Sequence, residues 1–279
     1  MELCLRRICG RRRGTQCGSL AQRRFDPTIQ RIKASIDAGE IGTPEIISIT
    51  RRDPSPPPVE YIRTSAGYFR DSTIHDLDFA RWLLNEEVVE VSAFGSNLVD
   101  DAIRNTGDFD TAITNLLSVS GRLCQINNFR SAVYGFDQRV EVFGSKGMLQ
   151  TANQMESGLL RWSADGTAHQ DRLKLFFLER YADSFCIDLD NLWDAVEAGN
   201  QPEVNGEDGR RALLLANAAQ TSAETGKAVS LDAPEMAMHR QKRRRAKRHE
   251  TKERIYCVET RAEPYGRSRI ALDRVSRTS

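Results

Sequence analysis

Six short segments with the composition of β-strands follow residue 88, and they constrain the fold of this chain more than any other feature. They are rich in β-branched and aromatic residues, and turn sequences such as Ser120-Gly121 separate them. The segments are residues 88–99, 109–119, 121–132, 136–144, 148–152 and 159–163. Consecutive strands joined by such short links are antiparallel neighbours. The sequence therefore predicts a meander-like antiparallel sheet.

Helical and buried-strand patterns surround these segments. Asp26 and Pro27 form a cap and first-turn pair before Ile29, Ile32 and Ile36, and a largely buried strand is expected over residues 41–53. Further helices are predicted over residues 67–84, 171–199 and 207–225, where the aromatic stripe of the second reads as core packing. These patterns predict an α+β fold, with an open, mostly antiparallel β-sheet and helices packed on one face.

The net charge of +1 conceals three regions of different composition. Residues 1–21 carry five Arg against one Glu, and residues 234–279 carry fourteen Lys and Arg against six Asp and Glu. The region between them is therefore acidic, which argues against nucleic acid as its partner. We expect residues 1–21 and 233–279 to be disordered and residues 22–232 to form one folded domain.

A carboxylate and an imidazole four residues apart stand out in residues 67–84, GYFRDSTIHDLDFARWLL. On a helix, Asp71 and His75 would project from one face, one turn apart. Asp71 and Ser72 are candidate cap residues, which would place the pair in the first helical turn, beside a cleft. The apolar surface that would hold this helix against the sheet is supplied by Ile74, Leu77, Phe79, Trp82 and Leu83.

Spacing alone leaves two interpretations of this pair. An Asp-x-x-x-His on an amphipathic helix is more often a solvated pair or a helix cap than a catalytic couple. In the functional interpretation, His75 is a base, because an ordinary histidine pKa of about 6.5 suits proton transfer at neutral pH. Asp71 would then orient the imidazole or bind a neighbouring hydroxyl.

Three stretches resemble the C-terminal half of the Gfo/Idh/MocA oxidoreductases, and among them most closely the inositol 2-dehydrogenases. They are residues 67–84 together with QRRFDPTIQRIKASIDAGEIGTPEIISITRRDPSPPPVEYI and NNFRSAVYGFDQRVEVFGSKGML. The resemblance covers about residues 22–231. It implies a substrate-binding and oligomerisation domain of an enzyme that oxidises a secondary hydroxyl of a cyclic polyol or sugar with NAD(P).

The resemblance also assigns site residues. It implies catalytic roles for His75 and Asp71, with a lysine from the dinucleotide-binding half. It places substrate contacts at Arg23, Asp53, Ser72 and Tyr134. It brings residues 54–58, which are rich in proline, to the mouth of the active site, although their composition fits a plain connector equally well. Phe136 stands where a Tyr is usual and Ala66 where a Gly is expected, and both departures put the identity of the polyol in doubt.

The dinucleotide-binding half of these enzymes has no counterpart in the sequence. Neither a G-x-G-x-x-G turn nor the Glu-Lys-Pro sequence that carries the lysine occurs. We therefore expect a fragment whose gene has lost its first half, with no residues that bind NAD, and which is catalytically silent alone. Residues 1–21 match nothing in the family, which a frame error or a wrong start site would explain.

Three functional hypotheses follow. The first is an inositol 2-dehydrogenase-like enzyme that forms a homo-oligomer through its sheet face, and the second is a non-catalytic oligomerisation or binding module derived from that family. The third is a nucleic-acid binder acting through the basic residues after 233, a region that translation past the natural end of the gene would also explain. The scattered cysteines favour a cytoplasmic location and no metal site, and apolar runs are too short for a membrane span.

Overall fold

The computed structural model of this protein describes residues 21–231. Its strands are β1 (Pro44–Arg52), β2 (Val88–Ser96), β3 (Thr111–Ser118), β4 (Leu123–Phe129), β5 (Asp137–Gly144), β6 (Gly147–Gln150), β7 (Leu160–Ser163), β8 (Gly166–Gln170) and β9 (Val229–Ser230). Seven of them form one sheet in the order β6-β5-β1-β4-β3-β2-β9, and β7 and β8 form a separate hairpin. The predicted α+β class, with a mostly antiparallel sheet, is confirmed.

The predicted meander is wrong at one point, where β1 lies between β4 and β5. β1 runs parallel to β4, with Ile47 opposite Cys124, and antiparallel to β5, with Ile47 opposite Val142. A parallel pair needs a long crossover connection, and the chain between β1 and β4 supplies one. The sequence shows that β4 and β5 follow each other but not that a third strand separates them.

The helices are α1 (Pro27–Asp37), α2 (Val59–Ile62), α3 (Ile74–Leu84), α4 (Asp101–Arg104), α5 (Phe177–Arg180), α6 (Ala182–Glu197) and α7 (Gly206–Thr225). A 3-10 turn, Gln22–Phe25, precedes α1, and a π-helical turn, Phe69–Thr73, leads into α3. Asp26 caps α1 as predicted, because its carboxylate accepts hydrogen bonds from two backbone N–H groups. Gly226 ends α7 in the left-handed conformation.

The helix predicted over residues 171–199 begins later and is interrupted. Leu173 forms a β-bridge with Met155, and the first helical residue is Phe177. Tyr181, with φ −111° and ψ 18°, separates α5 from α6. The residues before Phe177 have an apolar pattern that suits a helix, but the partner strand segment draws them into an extended conformation.

The core lies between one face of the sheet and helices α3 and α7. Leu77, Phe79 and Leu83 of α3 are fully buried, as the apolar pattern predicts. The buried side chains of β1 alternate with accessible ones along the strand, which is the pattern of a sheet covered on one face. Helix α3 therefore enters the core beside the centre of the sheet.

The uncovered face of the sheet carries a row of apolar side chains. Phe143 pairs with Met148, Ile46 with Phe143, and Ile46 with Leu123, so the row crosses four strands. Each of these side chains is close to half exposed, at 48–49%. A second exposed apolar surface lies on α6, where Leu189 and Trp193 are 67% and 65% exposed.

The α6 surface corrects the prediction that its apolar stripe is core packing. Tyr181 is buried, but Phe177 is 37% exposed and Val196 is 54% exposed. Helical spacing reveals that a stripe exists and does not reveal what covers it. The aromatic side chains at the start of this segment instead line a cavity, described below.

Several predictions fall on residues outside the described range. These are the disorder expected of residues 1–21 and 233–279, Ala21 apart, and the nucleic-acid interpretation of the basic segment. Over residues 21–231, no helix combines the length and the apolar character that a membrane crossing requires.

Candidate active site

A cavity of about 660 Å³ opens beside the N-terminal end of α3. Asp71, Ser72 and His75 line it from the π-helical turn and α3, and Arg23 lines it from the 3-10 turn. Its aromatic walls are Tyr61, Phe136, Phe176, Phe177 and Tyr181. Residues 55–58 also line it, so the proline-rich segment is part of the cavity rather than a remote connector.

The π-helical turn sets the direction of Asp71 and Ser72. Neither side chain caps the helix, so the cap prediction is wrong. The Asp71 carboxylate instead accepts a hydrogen bond from the Tyr61 hydroxyl at 2.7 Å, and Ser72 Oγ accepts one from Arg51 at 2.5 Å. The chain is already helical at Tyr68, whose backbone N–H donates to Asp108. Asp71 and Ser72 therefore lie inside the helical segment and not at the position that caps it. Short π-helical turns of this kind are frequent at functional sites.

His75 lies on the cavity wall as a neutral imidazole. Burial, and then the Arg23 guanidinium, lower the pKa of His75 to about 3, while Asp76 opposes this change. The structure shows no hydrogen bond between His75 and Asp71 within residues 21–231. The two side chains share a cavity and are not a hydrogen-bonded couple.

A buried ion network supports the cavity from behind. Asp76 is fully buried and accepts hydrogen bonds from Arg23, from Arg51 at 2.8 Å and from Asn128 at 2.9 Å. Arg51 also donates to Asp53 at 2.6 Å. Because every partner is a charged or amide group held by a different segment, the network fixes the positions of Arg23, Asp53 and Ser72 together.

Asp71 has a mixed electrostatic environment. Burial raises its pKa, and the Tyr61 hydrogen bond and the nearby Arg130 guanidinium oppose the increase. The same hydrogen bond raises the pKa of Tyr61 to about 12, so the phenol remains the donor. Arg130 Nη2 lies 3.9 Å from Asp71 Oδ2.

The structure brings together five of the six predicted site residues. Arg23, Asp53, Asp71, Ser72 and His75 line the cavity. Tyr134 does not line this cavity, because it lies beside a separate hollow of about 490 Å³. Its hydroxyl donates to Asp137 at 2.7 Å and accepts from Arg52 at 3.3 Å.

Sequence reasoning missed several polar residues of the site, among them Arg51, Tyr61 and Arg130. Arg51 and Asp53 are two residues apart in a strand segment, so an i, i+2 pair on one face was a usable signal. Tyr61 had no signal beyond its place after the prolines. Arg130 follows β4 directly, and a charged residue that ends a buried strand was the only indication.

Comparison with known families supports what the geometry suggests. Residues 29–150 match the family described as the GFO/IDH/MocA C-terminal domain. The chain carries a GFO/IDH/MocA C-terminal domain. This domain includes β1, the π-helical turn and α3, and therefore the Asp71 and His75 positions.

Relatives with this domain are named as inositol dehydrogenases. A myo-inositol 2-dehydrogenase of Thermotoga maritima is 48% identical over 210 residues, which cover 75% of this chain and 63% of the relative. A scyllo-inositol 2-dehydrogenase (NAD(+)) of Bacillus subtilis is 34% identical, covering 78% of this chain and 64% of the relative. The crystal structure of a putative myo-inositol dehydrogenase from Sinorhizobium meliloti superposes with a TM-score of 0.74 at 42% identity, covering 76% of this chain and 64% of that one. The chain thus spans a little under two thirds of these relatives.

Two helix N-termini among the described residues are already capped by side chains. A pyrophosphate site needs free backbone N–H groups at a helix N-terminus after a glycine-rich turn. The first N–H groups of α1 are occupied by Asp26, and those of α7 by Asn205 within a capping box. Residues 21–231 also contain no group of three or more His, Cys, Asp or Glu side chains arranged for a metal ion.

Proposed function

We propose that this chain supplies the substrate-binding part of an NAD(P)-dependent oxidoreductase of the inositol 2-dehydrogenase type, which oxidises a secondary hydroxyl of a cyclic polyol or sugar. One observation carries the proposal: a single cavity holds His75 and Asp71 together with Arg23, Asp53 and Ser72. The names of the relatives support inositol as the substrate class.

The cavity suits a neutral ligand with many hydroxyls. Its wall carries both guanidinium and carboxylate groups, so hydroxyl groups meet both donors and acceptors. Arg23 and Arg51 are paired with Asp76 and Asp53, which leaves little net charge to attract an ion. The aromatic walls face a ligand with surfaces that pack against C–H groups.

Proton transfer is assigned to His75 and Asp71 acting together. The neutral imidazole has a free lone pair that can accept the hydroxyl proton. An imidazole with a pKa of about 3 is a weak base, and a cation formed there would lie near Arg23. The Asp71 carboxylate, across the same cavity, compensates that charge and binds a neighbouring hydroxyl.

NAD is proposed as the cofactor of the whole enzyme, supported by the NAD(+) in the name of the Bacillus subtilis relative. Because the sequence contains no G-x-G-x-x-G turn and the N-termini of α1 and α7 are capped, the dinucleotide is assigned to residues or a domain outside the described ones. We expect the chain alone to be catalytically silent, because the hydride donor and acceptor must be held in contact.

A homo-oligomer and a cytoplasmic location complete the proposal. The exposed apolar row on the open face of the sheet supports association of two copies through that face. The scattered cysteines of the sequence suit a reducing compartment.

Polyol binding by the purified chain tests the proposal. We expect saturation-transfer NMR to detect myo-inositol bound to the chain, and Asp71→Asn and His75→Gln to weaken the signal. Arg31→Met, on the exposed face of α1, is the matched control and should bind as wild type does. Absence of polyol binding would contradict the proposed substrate-binding function. Formation of NADH by the chain alone would contradict the expectation that the chain is catalytically silent.

The second candidate is a non-catalytic oligomerisation module, which the open sheet face favours. It predicts an oligomer in size-exclusion chromatography without polyol binding. The same NMR titration therefore separates the two candidates.

A further inference from the structure

Arg130 differs from every other buried arginine in residues 21–231. Five arginines in this region are less than a tenth exposed: Arg23, Arg24, Arg51, Arg130 and Arg180. Four of them donate hydrogen bonds to carboxylates. Arg23 donates to Asp76, and Arg24 donates to Asp78. Arg51 donates to both Asp76 and Asp53, and Arg180 donates to Asp26. Arg130 is 1% exposed, and its Nη1 is buried with no hydrogen-bond partner among the described residues. The residue nevertheless lines the cavity.

The surroundings of Arg130 hold its guanidinium in place without satisfying it. The group lies over the Tyr68 ring, 4.5 Å from the ring centroid. Asp108 Oδ2 is 3.8 Å from Nη1 and Asp71 Oδ2 is 3.9 Å from Nη2, both beyond hydrogen-bond length. Asp108 is itself fixed, because its Oδ1 accepts the Tyr68 backbone N–H at 2.7 Å. The position and charge of the guanidinium are therefore set by neighbours that leave Nη1 without a hydrogen bond.

The unpaired Nη1 of Arg130 points to a ligand that accepts hydrogen bonds. A buried polar group without a partner is destabilising, and such groups in folded proteins call for an explanation. Arg130 borders the same cavity as Asp71, so an acceptor that enters the cavity meets the guanidinium and the carboxylate together. A planar guanidinium can engage two neighbouring oxygens at once.

The charge around Arg130 favours a neutral acceptor over an anion. Two carboxylates, Asp71 and Asp108, lie within 4 Å of its nitrogens and compensate its charge. An incoming anion would meet these carboxylates as well as the guanidinium. A hydroxyl oxygen accepts from Arg130 without that repulsion and can donate its own proton to Asp71.

We propose that Arg130 is a substrate-contacting residue, which donates to one or two adjacent hydroxyl oxygens of a cyclic polyol while Asp71 accepts from one of them. This inference rests on the polyol site proposed above and adds a specificity-determining group to it. Arg130 selects ligands that carry hydroxyls at neighbouring ring positions, on the side of the cavity formed by β4 and the π-helical turn.

A ligand series with matched variants tests the role of Arg130. The full chain is prepared as wild type, Arg130→Met, Arg130→Lys and the control Arg31→Met, and each is titrated by NMR with myo-inositol and with its monodeoxy analogues. We expect Arg130→Met to bind myo-inositol about tenfold more weakly, Arg130→Lys to lose less, and Arg31→Met to match wild type. One monodeoxy analogue, lacking the hydroxyl that Arg130 contacts, should bind wild type and Arg130→Met equally.

Each outcome decides the inference. Equal affinity of wild type and Arg130→Met for myo-inositol would overturn it, as would an equal loss by Arg130→Met for every analogue. Tighter, Arg130-dependent binding of glucuronate would replace the hydroxyl contact by an anion contact. If Arg130→Met does not unfold cooperatively on heating, the NMR signal of the Arg130 Nε–Hε group in the wild-type chain is used instead. A signal that does not change when inositol is added excludes contact with Arg130 and overturns the inference. A wild-type chain that binds no polyol would overturn the proposed function, and this inference with it.

Discussion

The imidazole of His75 shows how strongly burial and one cationic neighbour can change the pKa of a side chain. Arg23 is fixed on Asp76 and cannot move away from the histidine. The neutral imidazole is therefore the form present at physiological pH, and proton acceptance from a substrate depends on compensation by Asp71. The residue type alone indicates an ordinary titration near pH 6.5.

The titration of His75 provides a residue-scale prediction. Its folded-state pKa, about 3, is below the unfolded value, so between these values the unfolded state binds one more proton. Wild-type stability should therefore fall as the pH decreases from about 6.5 to about 3, and His75→Gln should reduce that fall. Urea unfolding at several pH values measures the difference.

Direct observation of the imidazole by NMR gives the control for this prediction. Arg23→Gln removes the second cause of the shift and should move the His75 midpoint upward. A wild-type midpoint near 6.5 would contradict the electrostatic description of the cavity.

Ala66 carries backbone strain that a single substitution can relieve. Its φ is 72°, in the left-handed region, although it has a Cβ atom. Ala66→Gly should raise the free energy of unfolding by about 1 kcal/mol, since glycine adopts this conformation freely. Chemical denaturation measures the change.

An alanine in ordinary helical geometry gives the opposite control. Ala34→Gly, on the exposed side of α1, should lower stability by about 1 kcal/mol. Equal effects of the two substitutions would show that backbone conformation at Ala66 is not the cause.

At the residue scale, sequence reasoning named residues that line one cavity, but it did not predict the contacts between them. Asp71 and His75 were detectable from spacing and family pattern. The Tyr61 contact was not, because it joins segments whose approach depends on the course of the proline-rich loop. Tyr134 lies beside the separate hollow, where its hydroxyl donates to Asp137, although Phe136 two residues on lines the cavity.

The π-helical turn before α3 is the element that matters most to the site. It widens the helix where Asp71 and Ser72 must reach the cavity, and Thr73 fixes it through a hydrogen bond to Asn128 at 2.8 Å. A four-residue spacing predicted that Asp71 and His75 share a face, and both do line one cavity. No local signal distinguishes a π-helical turn from a regular one, so the cap prediction failed there.

Helix α7 makes an element-scale prediction through Ser222. Its hydroxyl oxygen accepts the backbone N–H of Ala93 at 2.9 Å, on an edge of β2 that the two-residue β9 does not reach. Ser222→Ala leaves this buried N–H unpaired and should lower the free energy of unfolding by about 1–3 kcal/mol. Thermal or urea unfolding measures the loss.

Thr221 is the matched control for Ser222. It lies on the exposed side of the same helix, so Thr221→Ala should change stability by no more than about 0.5 kcal/mol. A loss from Thr221→Ala as large as from Ser222→Ala would indicate a general effect on the helix.

For the whole molecule, the open sheet face is the surface through which we propose that two copies associate. Leu123 lies at the β4 end of the apolar row, opposite Ile46 of β1 and Leu117 of β3 in register. If two copies associate through this face, Leu123→Glu places a buried unpaired charge in the interface and should shift the chain to a lower mass. Light scattering after size-exclusion chromatography measures the mass.

Leu214→Glu is the matched control, because Leu214 is a partly exposed leucine on α7, away from the open face. It should keep the wild-type mass. An unchanged mass for Leu123→Glu in an oligomeric wild type would assign association to another surface.

The fold class, the segments that form most strands and the end of α7 were all predictable, since each depends on local periodicity and turn residues. The order of strands was not, because it depends on which distant segments meet. The Asp76 network shows the same limit, since its arginines come from the 3-10 turn and from β1.

The insertion of β1 between β4 and β5 has a consequence for biosynthesis. On the ribosome, β1 emerges long before Cys124 and Val142, the residues opposite Ile47. Both of its hydrogen-bonding edges therefore stay unpaired while the helices, β2 and β3 are translated. β4 then pairs with one edge, and β5 completes the sheet on the other. Nascent chains stalled before β5 should consequently be the ones that chaperones retain.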